Sequence, residues 1–158
     1  MVRPACDSLV EFLVLAVTNE SLEFAVAKID YPQTKGMFQN QGFSQVIVTT
    51  GSRTIYTAGQ VSIDERGHLV GAGDLAEQTA QAMRNVGLSL AAAGASFEHI
   101  VKITTYVVDY KPEQRVIIGK ARAPFFAGRQ PPASTLVGVP ALALPEWLIE
   151  IEAIAVFD

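Results

Sequence analysis

Few residues in this chain have the type and spacing that chemistry needs. The clearest are two carboxylates, Glu150 and Glu152, in the closing stretch "LIEIEAIAV" from Leu148 to Val156. Alternate residues of a strand share a face, so both point the same way. A carboxylate set in an apolar surround has a raised pKa and suits general acid–base work. Charges on a strand also deter edge pairing or simply face water, and Glu152 is read in that structural sense. His68 falls in a turn and His99 just before a strand. Neither has a partner at metal-ligand spacing, so both are read as surface residues and no metal is expected. Ser134 and Thr135 lack a base at diagnostic spacing and a GxSxG elbow, which argues against a serine hydrolase. "GAGD" (71–74) lacks the full glycine fingerprint of a phosphate loop, and its aspartate would repel an anion.

The totals narrow the field. Asp and Glu number 16 against 12 Lys and Arg, for a net charge of −4. No basic run is present, which weighs against nucleic acid as a partner. Cys6 is the only cysteine, so neither an internal disulfide nor a cysteine-built metal site is expected, and a reduced, cytoplasmic setting follows. The apolar run from Leu9 to Val17 is interrupted by Glu11 and is too short to span a bilayer. Residues 1–20 are expected to form an extension, and 21–158 a single domain.

The elements that must position these residues follow from periodicity and punctuation. "LEFAVAKIDY" (22–31) reads as a first strand. "FSQVIVTT" and "TIYTAGQVSI" read as two strands around a tight turn at Gly51-Ser52. A helix starts at Asp74, with Glu77 three residues on. It carries an apolar face of Ala82, Met83, Val86, Leu90 and Ala93 and stops at Gly94. "HIVKITTYVVD" is a β-branched strand, and "KPEQRVIIGKARAPFF" a second helix bounded by Pro112 and Pro124. "PPASTLVGVPALA" and "WLIEIEAIAVFD" close the chain as strands. Trp147 and Tyr56 are read as packing residues. The order predicts an α+β fold, with two helices on one face of a mixed sheet. The closing strands are apolar on both sides apart from the glutamates, so the second face is expected to be buried between subunits.

"IYTAGQVSID", "AEQTAQAMRNV…LAAAGAS", "IVKITTYVVD", "PPASTLV" and "IEIEAIAV" together resemble the Rid family (YjgF/RidA type, the imine deaminases). The likeness runs from about Phe43 to Val156 in the family's order and spacing. It implies a chorismate-mutase-like fold and a homotrimer whose sheets form an inner barrel, with small-molecule clefts at the subunit interfaces. It also implies hydrolysis of reactive enamines and imines without metal or cofactor.

The same resemblance implies a site. Glu150 matches the family's catalytic glutamate, which positions or activates water. The family's arginine, which clamps the substrate carboxylate, is Ser134 here. Phe43 stands where an aromatic hydroxyl is usual, Ala58 where a serine precedes the "GQ" pair, Gly119 at a frequent asparagine, and Leu136 at a cysteine whose backbone N–H would survive. Losing a charge-assisted clamp on a buried carboxylate costs roughly 2–5 kcal/mol. Standard 2-imino acid deamination is therefore expected to be weak or absent, and the cleft more apolar and suited to a less acidic substrate. Arg53, Arg122 and Arg129 are the candidate replacement cations, Arg129 first because it lies on the loop entering the Ser134 strand. A hydrolase of the deaminase type is the leading expectation; a non-catalytic trimeric binding or regulatory protein is the alternative.

Overall fold

The computed structural model describes residues 28–34, 36–37 and 42–158. The expected N-terminal extension, Cys6 and most of the first strand lie outside the described residues. Eight elements follow in the order β1 (Lys28–Asp30), β2 (Val48–Thr50), β3 (Arg53–Tyr56), α1 (Leu75–Ala92), β4 (Ile100–Val108), α2 (Gln114–Arg122), β5 (Ala133–Val139) and β6 (Ile149–Phe157).

Four strands form a mixed sheet in the order β3-β6-β4-β5. β6 runs antiparallel to both β3 and β4, while β4 and β5 are parallel and joined through α2. A parallel pair needs a long crossover, and the second helix supplies it. One expectation is corrected here. β2 and β3 flank the turn at Gly51-Ser52 but do not pair with each other: β2 pairs with β1, and β3 with β6. The end of the chain wins β3, because Arg53–Tyr56 lies in register with Phe157–Ile154 and the Ser52 N–H donates to the Asp158 carboxylate at 2.9 Å.

α1 begins where its cap dictates. The Asp74 carboxylate accepts from the N–H groups of Ala76 and Glu77, satisfying two of the donors that every helix start leaves open. The helix ends before Gly94, whose φ of +81° suits a residue without a Cβ. Its apolar face, Ala82, Met83, Val86 and Leu90, is fully buried. It packs on Ile103 and Val107 of β4 and on Ile149, Ile151, Ala153 and Ala155 of β6. Each large aliphatic side chain buried in this way contributes about 1.5–3 kcal/mol. Gln78 ties the helix to the strand entry: its amide donates to the carbonyls of Gly71 and Glu146 and accepts from the Leu148 N–H. It therefore fixes where β6, and with it Glu150, begins.

The odd residues of β6 face the helices, leaving Glu150, Glu152 and Ile154 on the other side with Thr104 and Tyr106. Tyr56, read from sequence as a packing residue, is 75% exposed; it belongs to the short strand β3 at the sheet's edge, with no described element over it. No helix among the described residues is long and apolar enough to cross a membrane.

Candidate active site

α2 presents Arg115, Gly119 and Arg122 along one side, at helical spacing, with Ile118 fully buried beside them. The chain continues through a short 3-10 turn, Ala123–Phe126, and then enters β5. Between α2, this turn and β5 lies a cavity of about 630 Å³. Phe43, Tyr110, Phe126, Ser134 and Leu136 line it together with Arg115, Arg122 and Arg129. Phe43 is held there by its neighbour: the Ser44 hydroxyl donates to the Pro131 carbonyl at 2.6 Å, and the Ser44 N–H donates to the Pro132 carbonyl.

Arg122 is the most perturbed group in this cavity. Its guanidinium donates to the Thr105 hydroxyl at 3.3 Å and to the Ser134 hydroxyl at 3.4 Å, and lies 5.9 Å from the centre of the Phe126 ring. Both hydrogen bonds are long, and both partners are neutral. Its Nε–H is buried with no partner. No carboxylate approaches it within ion-pair distance among the described residues. Burial pulls its pKa down to about 10, because a charge out of water without a counter-charge is disfavoured.

Ser134 thus leaves β5 without an arginine, but the cavity is not without one. A guanidinium reaches the same spot from α2, and the short serine side chain leaves room for it. The cavity carries cations as well as apolar walls. Of the three candidate cations, Arg122 is the one hydrogen-bonded to Ser134. Arg129 lines the same cavity, whereas Arg53 stacks on Phe157 at 4.4 Å and donates to the Ala93 carbonyl, far from this space. Arg115, Tyr110 and Phe126 escaped sequence reasoning. The available signal was the spacing of Arg115, Ile118 and Arg122, which puts two cations on a helix face that also buries an isoleucine.

Glu150 and Ala58 stand elsewhere. Glu150 pairs with Tyr106 across β4 and β6, whereas Ser134 pairs with Ile103 across β4 and β5. Tyr106 and Ile103 are three residues apart on one strand, so Glu150 and Ser134 lie on opposite faces of the sheet. Glu150 packs over the backbone of Gly59, where a Cβ would fall 1.7 Å from its Oε1. Ala58 is the neighbouring residue, and the Gln60 amide donates to its carbonyl. Glu152 accepts from the Tyr106 hydroxyl at 3.1 Å. That hydrogen bond, with burial and the negative charges of Glu152 and Glu150, raises the Tyr106 pKa, because a phenolate there would face two carboxylates. His68 sits beside Asp64 at 3.5 Å in an exposed turn, and the His99 ring accepts from the Ser96 N–H. Among the described residues, no three potential metal ligands gather.

A mixed sheet with two helices on one face, and a cavity lined by three arginines under the second helix, defines an α+β domain. The chain belongs to the Rid family: the Endoribonuclease L-PSP family model matches residues 35–157. It is 35% identical to a 2-iminobutanoate/2-iminopropanoate deaminase of Rattus norvegicus, over 72% of this chain and 79% of the relative. Among solved structures, the Rid-family protein YyfB from Yersinia pestis superposes with a TM-score of 0.78 at 38% identity, covering 82% of this chain and 98% of that one. E. coli TdcF with bound serine superposes with a TM-score of 0.59 at 29% identity, over 66% of this chain and 81% of that one.

Proposed function

We propose that this protein is a cofactor-independent hydrolase of a reactive imino or enamino acid, acting at a cleft between subunits of a cytoplasmic homotrimer built from domains of residues 21–158. The observation that carries this reading is the division of the site: a cationic cavity with Arg122 on one face of the sheet, and Glu150 on the other. One chain cannot bring the two together. In a ring of subunits whose sheets form an inner barrel, Glu150 of one subunit is offered to the cavity of the next. The deaminase relative and the serine bound in TdcF support a small amino-acid-derived substrate.

In this scheme Arg122 takes the substrate carboxylate, with the Leu136 N–H and the Ser134 hydroxyl beside it. Water attacks the iminium carbon while Glu150 removes a proton from it, and the electrons of the C=N bond move to nitrogen. Glu150 returns the proton to that nitrogen. Collapse of the carbinolamine then breaks the C–N bond while its O–H proton passes to Glu150, leaving a 2-oxo acid, and the departing ammonia carries that proton away as ammonium. A three-carbon imino acid engages one cation and leaves most of the cavity unfilled, so 2-iminopropanoate is a poor substrate in this reading.

The test is ammonia release from imino acids generated in situ by an amino-acid oxidase. Faster release with the wild type, abolished by Glu150→Gln, is the expected result. Rates that match the protein-free control for every imine would sink the enzyme reading. The loss of side-chain hydroxyls at Phe43 and Ala58 would then favour the alternative, a trimeric binding or regulatory protein that has kept the cavity.

A further inference from the structure

We infer that the cavity is built for a dianion: a 2-imino acid whose side chain ends in a second acidic group. The chemistry rests on the hydrolase reading above; the charge preference rests on the cavity alone. The chain as a whole carries a net charge of −4, yet this cavity is lined by three arginines and, among the described residues, by no aspartate or glutamate. None of the three has a carboxylate within ion-pair distance among the described residues. Like charges gathered without counter-ions repel one another and raise the free energy of the empty site. A monoanion neutralises one of them; a dianion neutralises two.

The placement of the cations fits two separate acidic groups better than one. Arg122 is the inner one, against Ser134 and with its Nε–H buried and unpaired. A buried donor of this kind is unfavourable, and more so when charged, until an acceptor arrives. Arg115 lies seven residues earlier on α2, hence two turns away on the same side, about 10 Å along the axis. It is exposed, as is Arg129, so both stand toward the mouth. Between inner and outer cations the walls are apolar or aromatic, from Phe43, Phe126 and Leu136. An alkyl spacer fits there, with one carboxylate on Arg122 and the other at the mouth. At about 630 Å³ the space falls within the range of pockets that bury much larger ligands than a three-carbon acid.

The experiment uses unreactive acids, so that it does not depend on catalysis. Glutarate, butyrate and benzoate are titrated into the full-length protein by calorimetry at low ionic strength. Glutarate should bind about tenfold tighter than butyrate, the scale of one good charge contact at a partly exposed site. Added salt should shrink that ratio, as should Arg115→Gln and Arg129→Gln, each checked for folding by its thermal transition. Equal affinities for glutarate and butyrate, tightest binding of benzoate, or no binding of any acid would each overturn the inference. The hydrolase reading is tested separately by ammonia release. Diacid binding without hydrolysis sinks that reading alone, whereas hydrolysis with no preference for diacids sinks only the dianion.

Discussion

Arg122→Met keeps an unbranched side chain of similar reach and removes only the guanidinium. The wild-type group is charged, largely buried and bonded only to two neutral hydroxyls. Its pKa of about 10 lies well below that of a free guanidinium, and at about 1.4 kcal/mol per tenfold the gap amounts to roughly 3 kcal/mol held against the charged form. The side chain is not wholly enclosed, and methionine forfeits both hydrogen bonds, so the expected net gain in unfolding free energy is about 1–2 kcal/mol. The assay is urea unfolding at one fixed protein concentration, where that gain moves the midpoint upward by about 0.5–1 M. Anion affinity should change in the opposite sense, falling by roughly 30-fold to several thousand-fold, as a carboxylate loses a buried charge partner. The sign with pH follows. The folded-state pKa lies below the unfolded one, so the native protein binds fewer protons above about pH 10, and the penalty in the wild type is relieved as pH rises through that value. The variant's stability advantage should therefore be constant below about pH 9 and shrink above pH 10. A variant less stable than the wild type at neutral pH would show that Arg122 is a structural brace of α2 on the sheet, and the reasoning from an unpaired charge would be wrong.

Three further substitutions probe other joints. Gly59→Ala would place a Cβ 1.7 Å from the Glu150 carboxylate. Because that carboxylate is a flexible end, stability should fall by less than about 1 kcal/mol while ammonia release collapses; an unchanged rate would detach Glu150 from the reaction. Gln78→Ala strands the carbonyls of Gly71 and Glu146 and the N–H of Leu148 around a fully buried position, which should cost about 2–4 kcal/mol in chemical denaturation. Glu152→Gln removes the carboxylate whose hydrogen bond is the main cause of the raised Tyr106 pKa. The phenol should then ionise at lower pH in an absorbance titration, and an unmoved Tyr106 would refute the assignment.

The parts of the fold that could be read from the chain are those encoded locally. Asp74 announces the start of α1, the spacing of Ala82, Met83, Val86 and Leu90 its buried face, and the β-branched run at Ile100–Val108 a strand. What could not be read is pairing. The turn at Gly51-Ser52 looks like a hairpin because it is short and flanked by strand formers, but β3 finds its partner about a hundred residues later, and nothing local records that. The site divides in the same way. Ser134, Leu136 and Phe43 could be picked out by resemblance, and they line one cavity. Arg122 could be named only as one of three cations, because an arginine in the last turn of a helix ordinarily faces water and the helix dipole. Closeness in sequence to Ser134 favours Arg129 instead. The interaction that singles out Arg122 arises between α2 and β5, which only the packed fold brings together.

The route by which the guanidinium enters explains why the chain tolerates serine at position 134. An arginine there would rise from β5 into the space that the Arg122 head group occupies. Two guanidinium groups at that distance, with no carboxylate near, would repel strongly in a low-dielectric setting. Moving the charge to α2 also places Arg122 two turns from Arg115 on a single helix face, so the cations form a row along the cavity rather than a single clamp on the strand. If the cavity takes a dianion as proposed, that row would separate a site for a short monoacid from one that discriminates by the far end of its ligand. Glu150, on the opposite face, is unaffected by the move: its position is set by β6 and by the missing Cβ of Gly59. In the proposed trimer the cleft would keep the family's acid in place while the cation that selects the substrate changes address.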